Sequence, residues 1–467
     1  MFPSTFYQKE PRALEQKIPD TIHHAMRLLI NAGYEVFLVG GAVRDLLMNK
    51  MPKDYDLATN ATPEQIENVF CDYHCIRTGM RHNTITVHIQ NDFIEITTYR
   101  NQCHTIQEDL ACRDLTINTM AYSLQDGMID PYGGFDAVQA KILRFTGNGL
   151  DRIQEDPLRM LRMIRFACQL DFSIGSQDWS QIQSCTSLLG CVSKERIRDE
   201  LDKILFSNSK GLEMLYESGL LETIDSHLSE LFLCEQKNPY HYTDVGHHTL
   251  DALRNVLIFA PVISHEMLSD FEQKTIRYAL LLHDIGKPRM KTTDAKGVDH
   301  FYGHAEVSEE MAQNFLATYR FSNAEIKRIL KLIAYHDYHL SMTYKGMRKI
   351  LVKHHLYPEF MKSLLIVKLC DASAHRHPEK MIPDLLDFKK FYMDFIQNHP
   401  YRFSDLKIDG HMILTLCPDV DPKKIPVIQQ ECLDQVMQRP EKNTKEELSR
   451  FIKKNQRRYR VMKLERK

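Results

Sequence analysis

The chain has 467 residues, 43% of them hydrophobic and 26% charged, with one tryptophan and a formal net charge of −2. That length provides for several domains with cores of their own, and a near-neutral balance excludes nucleic-acid binding through overall charge, leaving local basic patches. No apolar run has membrane length and the N-terminus lacks a signal-peptide core, so a cytoplasmic location without membrane contact is expected. The eleven scattered cysteines, with no CxxC pair, read as reduced and mostly buried thiols. Cys71, His74 and Cys75 are the one close group with metal-ligand chemistry, and a weak one.

In chain order, polar residues 1–20 predict an extended arm, and Ile22, Met26, Leu29 and Ile30 mark an amphipathic helix over Thr21–Asn31. The apolar strand Val36–Val39 then runs into Gly40-Gly41 and a helix from Ala42 carrying Arg44 and Asp45. Glycines let backbone approach a polyphosphate, a helix N-terminus favours anions, and Arg44 can fork onto phosphate oxygens. A plain strand-to-helix turn would use the same residues. Lys53–Leu57 alternates like a strand, placing Asp54 and Asp56 on one face, where two carboxylates need a cation between them. Surface acids on an edge strand are the alternative, and the phosphate turn just upstream tips the reading towards nucleotidyl transfer with magnesium.

Thr62-Pro63-Glu64 predicts a capped helix over Pro63–Phe70, and Thr84–Ile89 and Phe93–Thr98 predict a hairpin turning at Gln90–Asp92. Glu95 is either a third acid beside Asp54 and Asp56 or an exposed strand residue. Glu108–Tyr122 gathers Arg113, Asp114 and Asn118, suited to phosphate and ribose hydroxyls or equally to a cap and salt bridge. Asp130–Gly134 reads as a turn and Lys141–Phe145 as a closing strand. Helices follow from about residue 146, so a domain boundary is expected there and the fold class is α+β.

The first important helix is read over Glu155–Leu170, with Leu158, Leu161, Ile164 and Ala167 facing a core. Asp156 and Arg159 are neighbours on it, and Arg162 and Arg165 continue a basic stripe. Such a stripe is often a solvated face. An Asp-Arg pair can also imitate a base-pairing edge, accepting from the exocyclic amine of cytosine or adenine and donating to the adjacent ring acceptor. Ser193 caps a helix carrying Arg196 and Glu200, which read as buttresses. His247-His248, His283-Asp284 in LLLHDIGKP, His304, His336-Asp337 and Asp371 then match the ligand chemistry of a metal-dependent phosphohydrolase. The basic C-terminal run, from Lys453 and Lys454 to Lys463, Arg466 and Lys467, is a solvated tail or an RNA contact.

The segments FLVGGAVRDLL, KDYDLAT, TGMRHNTITV, CRDLTINTMAY, DPYGGFDA, EDPLRMLRMIRF and SKERIRDEL resemble the bacterial class II tRNA nucleotidyltransferases, the CCA-adding enzyme family, from about Pro19 to the tail. The resemblance implies a polymerase-type nucleotidyltransferase head with a mixed β-sheet over 1–145, a helical neck and body over 146–235, an HD phosphohydrolase-like domain over 236–380 and a helical tail over 381–467. It implies Asp54 and Asp56 as catalytic magnesium ligands, and Gly41, Arg44 and Arg113 as nucleotide contacts, joined by Asp114 and Asn118. Asp156 and Arg159 resemble the protein template for the incoming base, with Arg162 and Arg165 beside them. His248, His283, Asp284 and Asp371 resemble the ligands of a second divalent metal in the HD domain. CTP, ATP and the tRNA acceptor end are the implied partners; the sequence carries no signal of oligomeric state.

Two departures matter. LCPDVDPKK replaces the expected Gly-Pro-rich turn after LKIDGH, which puts the tail contacts in doubt, and only residues 101–112 connect Arg100 to Arg113, where full CCA-adding relatives have a longer charged loop. That loop switches the template pocket from CTP to ATP in the family, so a short one favours addition of CC alone. Bacterial poly(A) polymerases share the head and the Asp-Arg segment. An RNA-binding HD phosphohydrolase with an inactive head is the alternative of a different class.

Overall fold

The computed structural model describes residues 14–79, 83–100, 103–207, 210–264 and 266–461. Most of the expected arm, the Met80–His82 part of TGMRHNTITV, and Lys463, Arg466 and Lys467 lie outside them. The chain forms two compact units, residues 1–229 and 230–467.

The first unit is built on a seven-stranded mixed sheet. Its strands are β1 (Val36–Val39), β2 (Tyr55–Thr59), β3 (His74–Gly79), β4 (Thr84–Ile89), β5 (Asp92–Thr98), β6 (Ala121–Ser123) and β7 (Gly127–Ile129), in the spatial order β3-β4-β5-β2-β1-β6-β7. All neighbours are antiparallel except β2 and β5, whose parallel pairing sets Asp56 opposite Glu95. Helix α1 (Asp20–Asn31) buries Ile22, Ala25, Met26 and Leu29, the amphipathic face its spacing predicts. Leu14 and Ile18, expected in an extended arm, are buried instead.

Helix α2 (Gly41–Leu47) follows β1 at once, and α3 (Pro63–Val69) opens with a capping box between Thr62 and Gln65. The hairpin between β4 and β5 is tighter than expected: Asp92 belongs to β5, and Gln90 takes a positive φ of 56° in the turn. Strand β3 runs through His74 and Cys75, which the sequence reading left without a strand. The residues expected to close the sheet do not. Ile142–Leu143 (β8) pairs with Ser173–Ile174 (β9) in a separate parallel ribbon. Asp130 accepts from the N–H groups of Gly134 and Phe135 at 2.7 and 2.8 Å, starting a helix, α5 (Gly134–Ala140), where only a turn was expected. Between Arg100 and Arg113 sits another short helix, α4 (Ile106–Ala111), N-capped by Thr105.

The helix expected over Glu155–Leu170 is two helices, α6 (Gly149–Glu155) and α7 (Arg159–Leu170). Asp156 between them is extended, at φ −151° and ψ 99°. The cause is local: the ring of Pro157 bars the preceding residue from helical backbone. Asp156 Oδ1 then accepts from the Leu158 N–H at 3.2 Å, holding the entry to α7. Leu158, Leu161, Ile164 and Ala167 are buried as expected. Beyond α8 (Ser176–Cys185), helix α9 (Lys194–Ser207) packs on α7.

Among its described residues the second unit is helical apart from a two-stranded ribbon, Thr292–Thr293 with Asp299–His300. Its core helices are α10 (Val245–Arg254), α11 (Asp270–Leu282), α12 (His304–Thr318), α13 (Asn323–Tyr335) and α14 (Pro358–Ser373). Ser269 and Ser322 close capping boxes on α11 and α13. No helix among the described residues is long and apolar enough to cross a membrane.

Candidate active site

Strands β2 and β5, the segment before β6, and helices α7 and α9 line one cavity of about 520 Å³ in the first unit. Asp56 and Glu95 enter from neighbouring strands; Asp54 stands just ahead of β2 rather than within it. Burial holds the Asp56 carboxyl above its ordinary range, with Asp54 adding to the effect and Arg113 and Arg100 opposing it. Glu95 is raised by burial and by the charges of Asp56 and Asp54. Glu95 is exposed, as one sequence reading had it, and stands opposite Asp56 at the cavity, as the other had it. The carboxylates of Asp54, Asp56 and Glu95 are oxygen donors of the kind a hard divalent cation takes, although the three do not bring ligand atoms within 4.8 Å of one another.

Arginines supply the other sign. Arg113 is buried and held by Asp109, whose Oδ2 accepts from Nε at 3.2 Å and from Nη2 at 3.1 Å. Asp109 Oδ1 also accepts from the Arg100 N–H at 3.0 Å, so α4 ties the end of β5 to Arg113. Gly40 explains itself here. Its φ is +69°, and a Cβ would come within 2.8 Å of Arg113 Nη1, so both backbone and space demand glycine.

Asp114 accepts from Arg162 Nε at 2.7 Å, from the Leu115 N–H at 2.9 Å and from Asn118 Nδ2 at 3.4 Å. Burial pushes its carboxyl up, and Arg162, with these donors, outweighs burial and holds it below its usual range. Asn118 Oδ1 accepts from Arg44 Nη1 at 2.8 Å, and Arg44 also donates to Asp45 at 2.9 Å. Arg44 and Arg165 both approach the Phe166 ring, at 5.4 and 4.4 Å, and Arg165 pairs with buried Glu200 at 3.1 Å. Gly41, Arg44, Asn118 and Arg165 thus form a layer beside the cavity, while Asp56, Arg113, Asp114, Asp156, Arg159 and Arg162 line it. Asp156 and Arg159 do not pair with each other. Asp156 meets Arg196 at 2.7 Å and Arg159 meets Glu155 at 2.6 Å, leaving both edges at the cavity.

A second cluster occupies the second unit. Groups of three or more ligand atoms lying within 4.8 Å of one another occur there alone among the described residues, and Cys71, His74 and Cys75 form no such group. His248 Nε2 meets Asp371 Oδ1 at 2.8 Å, and His283 Nε2 lies 3.2 Å from Asp284 Oδ2 and 3.5 Å from Asp371 Oδ1. All four residues are buried. His283 Nε2 and both oxygens of Asp284 complete no hydrogen bond of acceptable angle. Buried polar atoms left this way fit a bound cation. Asp284 and Asp371 are held well below the carboxylate range, the neighbouring histidines outweighing burial. A cavity of about 500 Å³ opens onto the cluster, with Lys287 at its edge, 2.7 Å from Asp284.

Known proteins match the chain in parts and as a whole. The family described as the poly A polymerase head domain matches residues 36–144, a probable RNA- and SrmB-binding site of polymerase A matches 171–231, and the HD domain matches 245–375. A CCA-adding enzyme of Bacillus licheniformis is 32% identical over 275 residues, 55% of this chain and 69% of that relative. The chain belongs to the CCA-adding enzyme family. A CC-adding tRNA nucleotidyltransferase of Halalkalibacterium halodurans is 38% identical over 190 residues, 40% of this chain and 49% of its own length. The chain spans only about half the length of several such relatives, 58% for the CCA-adding enzyme of Bacillus subtilis. The Bacillus stearothermophilus CCA-adding enzyme, solved in complex with CTP, shares the fold: TM-score 0.66 at 23% identity, covering 97% of this chain and 99% of that one.

For this member of the CCA-adding enzyme family, sequence reasoning left several cavity residues unassigned. Arg100 reaches the cavity from the end of β5 and Asp109 from α4, while Arg196 of α9, read from the sequence as a buttress, lines it as well. The signal for Arg100 was its place directly after β5, beside the strand bearing the acids. Asp109 had the i to i+4 spacing to Arg113. In the second unit, His241 and His375 lie with His248, and no sequence signal singled them out.

Proposed function

We propose that this chain is a tRNA nucleotidyltransferase that adds cytidines from CTP to the tRNA acceptor end and stops at CC rather than completing CCA with ATP. The observation that carries the reading is the in-register pair Asp56 and Glu95, next to Asp54, sharing one cavity with Arg113, Arg159 and Arg162. Asp54 and Asp56 hold magnesium, which when bound neutralises the triphosphate and activates the terminal hydroxyl. Gly40 and Gly41 admit the triphosphate at the start of α2, with Arg44 beside them and Arg113 opposite. Asp114 and Asn118 meet the ribose, and Arg162, fixed by Asp114, orients the nucleotide with Arg165 behind it. Asp156 accepts from the exocyclic amine and Arg159 donates to the ring acceptor, which selects C and A over U and G. In the domain division proposed, 1–145 is the transferase head, 146–235 the neck and body, 236–380 the HD domain and 381–467 the tRNA-binding tail.

The 101–112 connection supports the stop at CC. Ile106 and Leu110 of α4 are buried in the core, and Asp109 is bonded to both Arg100 and Arg113. A connection fastened at both ends is a poor lever for reshaping a pocket between nucleotides. The CC-adding relative named above has the same expected product. The test is extension of a labelled tRNA ending at the discriminator base, with CTP, ATP or both, resolved nucleotide by nucleotide. Two additions with CTP and no third with ATP are expected. A third addition identifies a full CCA-adding enzyme, and repeated ATP-only growth a poly(A) polymerase.

In the second unit, His248, His283, Asp284 and Asp371 hold a divalent metal for hydrolysis of phosphate esters at RNA ends or on nucleotides. His283 Nε2 and Asp284 Oδ1, buried and without a completed hydrogen bond, support this reading.

A further inference from the structure

The two faces of the sheet differ across β3, β4 and β5. On one, Ile85, Val87, Ile94 and Ile96 are buried and the Cys75 thiol donates to the Phe70 carbonyl at 3.6 Å, so that face packs on α3. Alternation along each strand sends the intervening residues to the opposite face. There the register aligns two rows across the sheet. One runs from Asp56 through Glu95 and Thr86 to Ile76; the other, beside it, runs from Phe93 through His88 to His74.

The first row carries acids of the candidate active site, and the second starts next to them. Phe93 lies two residues from Glu95 along β5, about 7 Å at the rise of an extended strand. One residue back from the paired Tyr55 and Ile94 stand Asp54 and Phe93, so the ring is level with the other acid as well. Phe93 is 63% exposed and Ile76 42%. The Phe93 ring is nonetheless ordered by a neighbour: it lies almost parallel to the His88 imidazole, with 4.6 Å between centroids and 20° between planes. His88 covers one face of the ring and leaves the other open. The water-facing side of a sheet ordinarily carries polar residues, and an open phenyl ring with an isoleucine nearby marks a contact surface.

We infer that Phe93, backed by His88, is the platform on which the unpaired terminal base of the RNA stacks while its ribose hydroxyl lies at Asp54 and Asp56, an inference that rests on the transferase reading above. In that reading the arginines meet the triphosphate, and Asp156 and Arg159 meet the incoming base. The growing RNA end therefore needs a surface of its own that finishes at the acids, and the row of Phe93, His88 and His74 is continuous with them on the open face. The chemistry of the surface also fits the task. The terminal base changes with each addition, from the discriminator base to cytidine, so donors and acceptors matched to one base would fail with the next. A ring stacks on any base, because every base has a π-face.

The test uses the full chain and tRNAs ending at each of the four discriminator bases, with a fluorescent adenine analogue at that position in one further tRNA. Stacking on Phe93 should quench the analogue when the tRNA binds without CTP. Phe93→Ala should abolish that quenching and raise KM for every tRNA about tenfold, while KM for CTP and the thermal melt stay unchanged. Phe93→Tyr, which keeps the ring, should restore both. Quenching and tRNA KM unchanged in Phe93→Ala, with the parent incorporating cytidine, overturn this inference and leave the transferase reading standing. Quenching that needs Phe93 in a parent that incorporates no nucleotide supports the platform and overturns the transferase reading. A concentration-dependent mass that falls in Phe93→Ala, with tRNA binding unaltered, gives the face to a second copy of the chain and overturns the inference.

Discussion

The two candidate sites solve the problem of gathering carboxylates in opposite ways. In the first unit Asp56 and Glu95 sit above their ordinary carboxylate range, mainly through burial, with Asp54 adding to the rise of Asp56 and both aspartates adding to that of Glu95. In the second, Asp284 and Asp371 sit well below it, interleaved with histidines. The head acids are thus short of positive charge, and the arginines that could neutralise them are largely committed to Asp109, Asp114 and Glu155. A site of that kind suits a cation that arrives with a polyphosphate and leaves with pyrophosphate. The second cluster has nitrogen ligands already fixed through their far side, which suits an ion that stays.

The hardest blow to this comparison would come from the acids. Asp54→Ala or Asp56→Ala is expected to lower the proposed nucleotide transfer by about a thousand-fold or more while leaving the phosphate-ester hydrolysis proposed for the second unit intact. Loss of both activities together would mean that the sites are not independent. A smaller effect tests the arginine side. Arg162→Met leaves buried Asp114 without its partner and should cost about 1–2 kcal/mol, allowing for solvent at the half-buried guanidinium. The Asp114 carboxyl is held low in the fold, so the pair stabilises fully above its unfolded value of about 4 and the benefit is lost as pH falls through the folded value. Denaturant melts of both proteins should therefore differ at pH 7 and draw together as pH falls below about 4. The smallest effect sharpens the point about crowding: Asp56→Asn should melt about 2 °C higher than the parent without magnesium, because a buried charge beside Asp54 is gone. A lower melting temperature would show that Asp56 is already compensated.

Much of this was legible residue by residue. Strands Val36–Val39 and Thr84–Ile89 were read with the bounds they have, because apolar runs ended by glycine or a turn are local signals. Thr62 was read as a cap for the same reason. The break at Asp156 was equally local, since Pro157 announces it, and it was overlooked because the helical period on either side stays in phase. Glu95 was different. Its choice between partner and surface residue depended on which strand lies next to β2, and parallel pairing joins strands distant in sequence.

The sequence by itself determined the chemical inventory: a glycine turn, paired acids, an Asp-Arg segment and an HD string, each recognisable because its residues are close along the chain. Tertiary structure decided who meets whom. It placed Glu95 beside Asp56, turned α4 into a brace between Arg100 and Arg113, and brought His304 and His336 to within 3.4 Å of each other against the second oxygen of Asp284. Those encounters join separate strands and helices, and their distances follow from how the elements pack, which no spacing along one segment encodes.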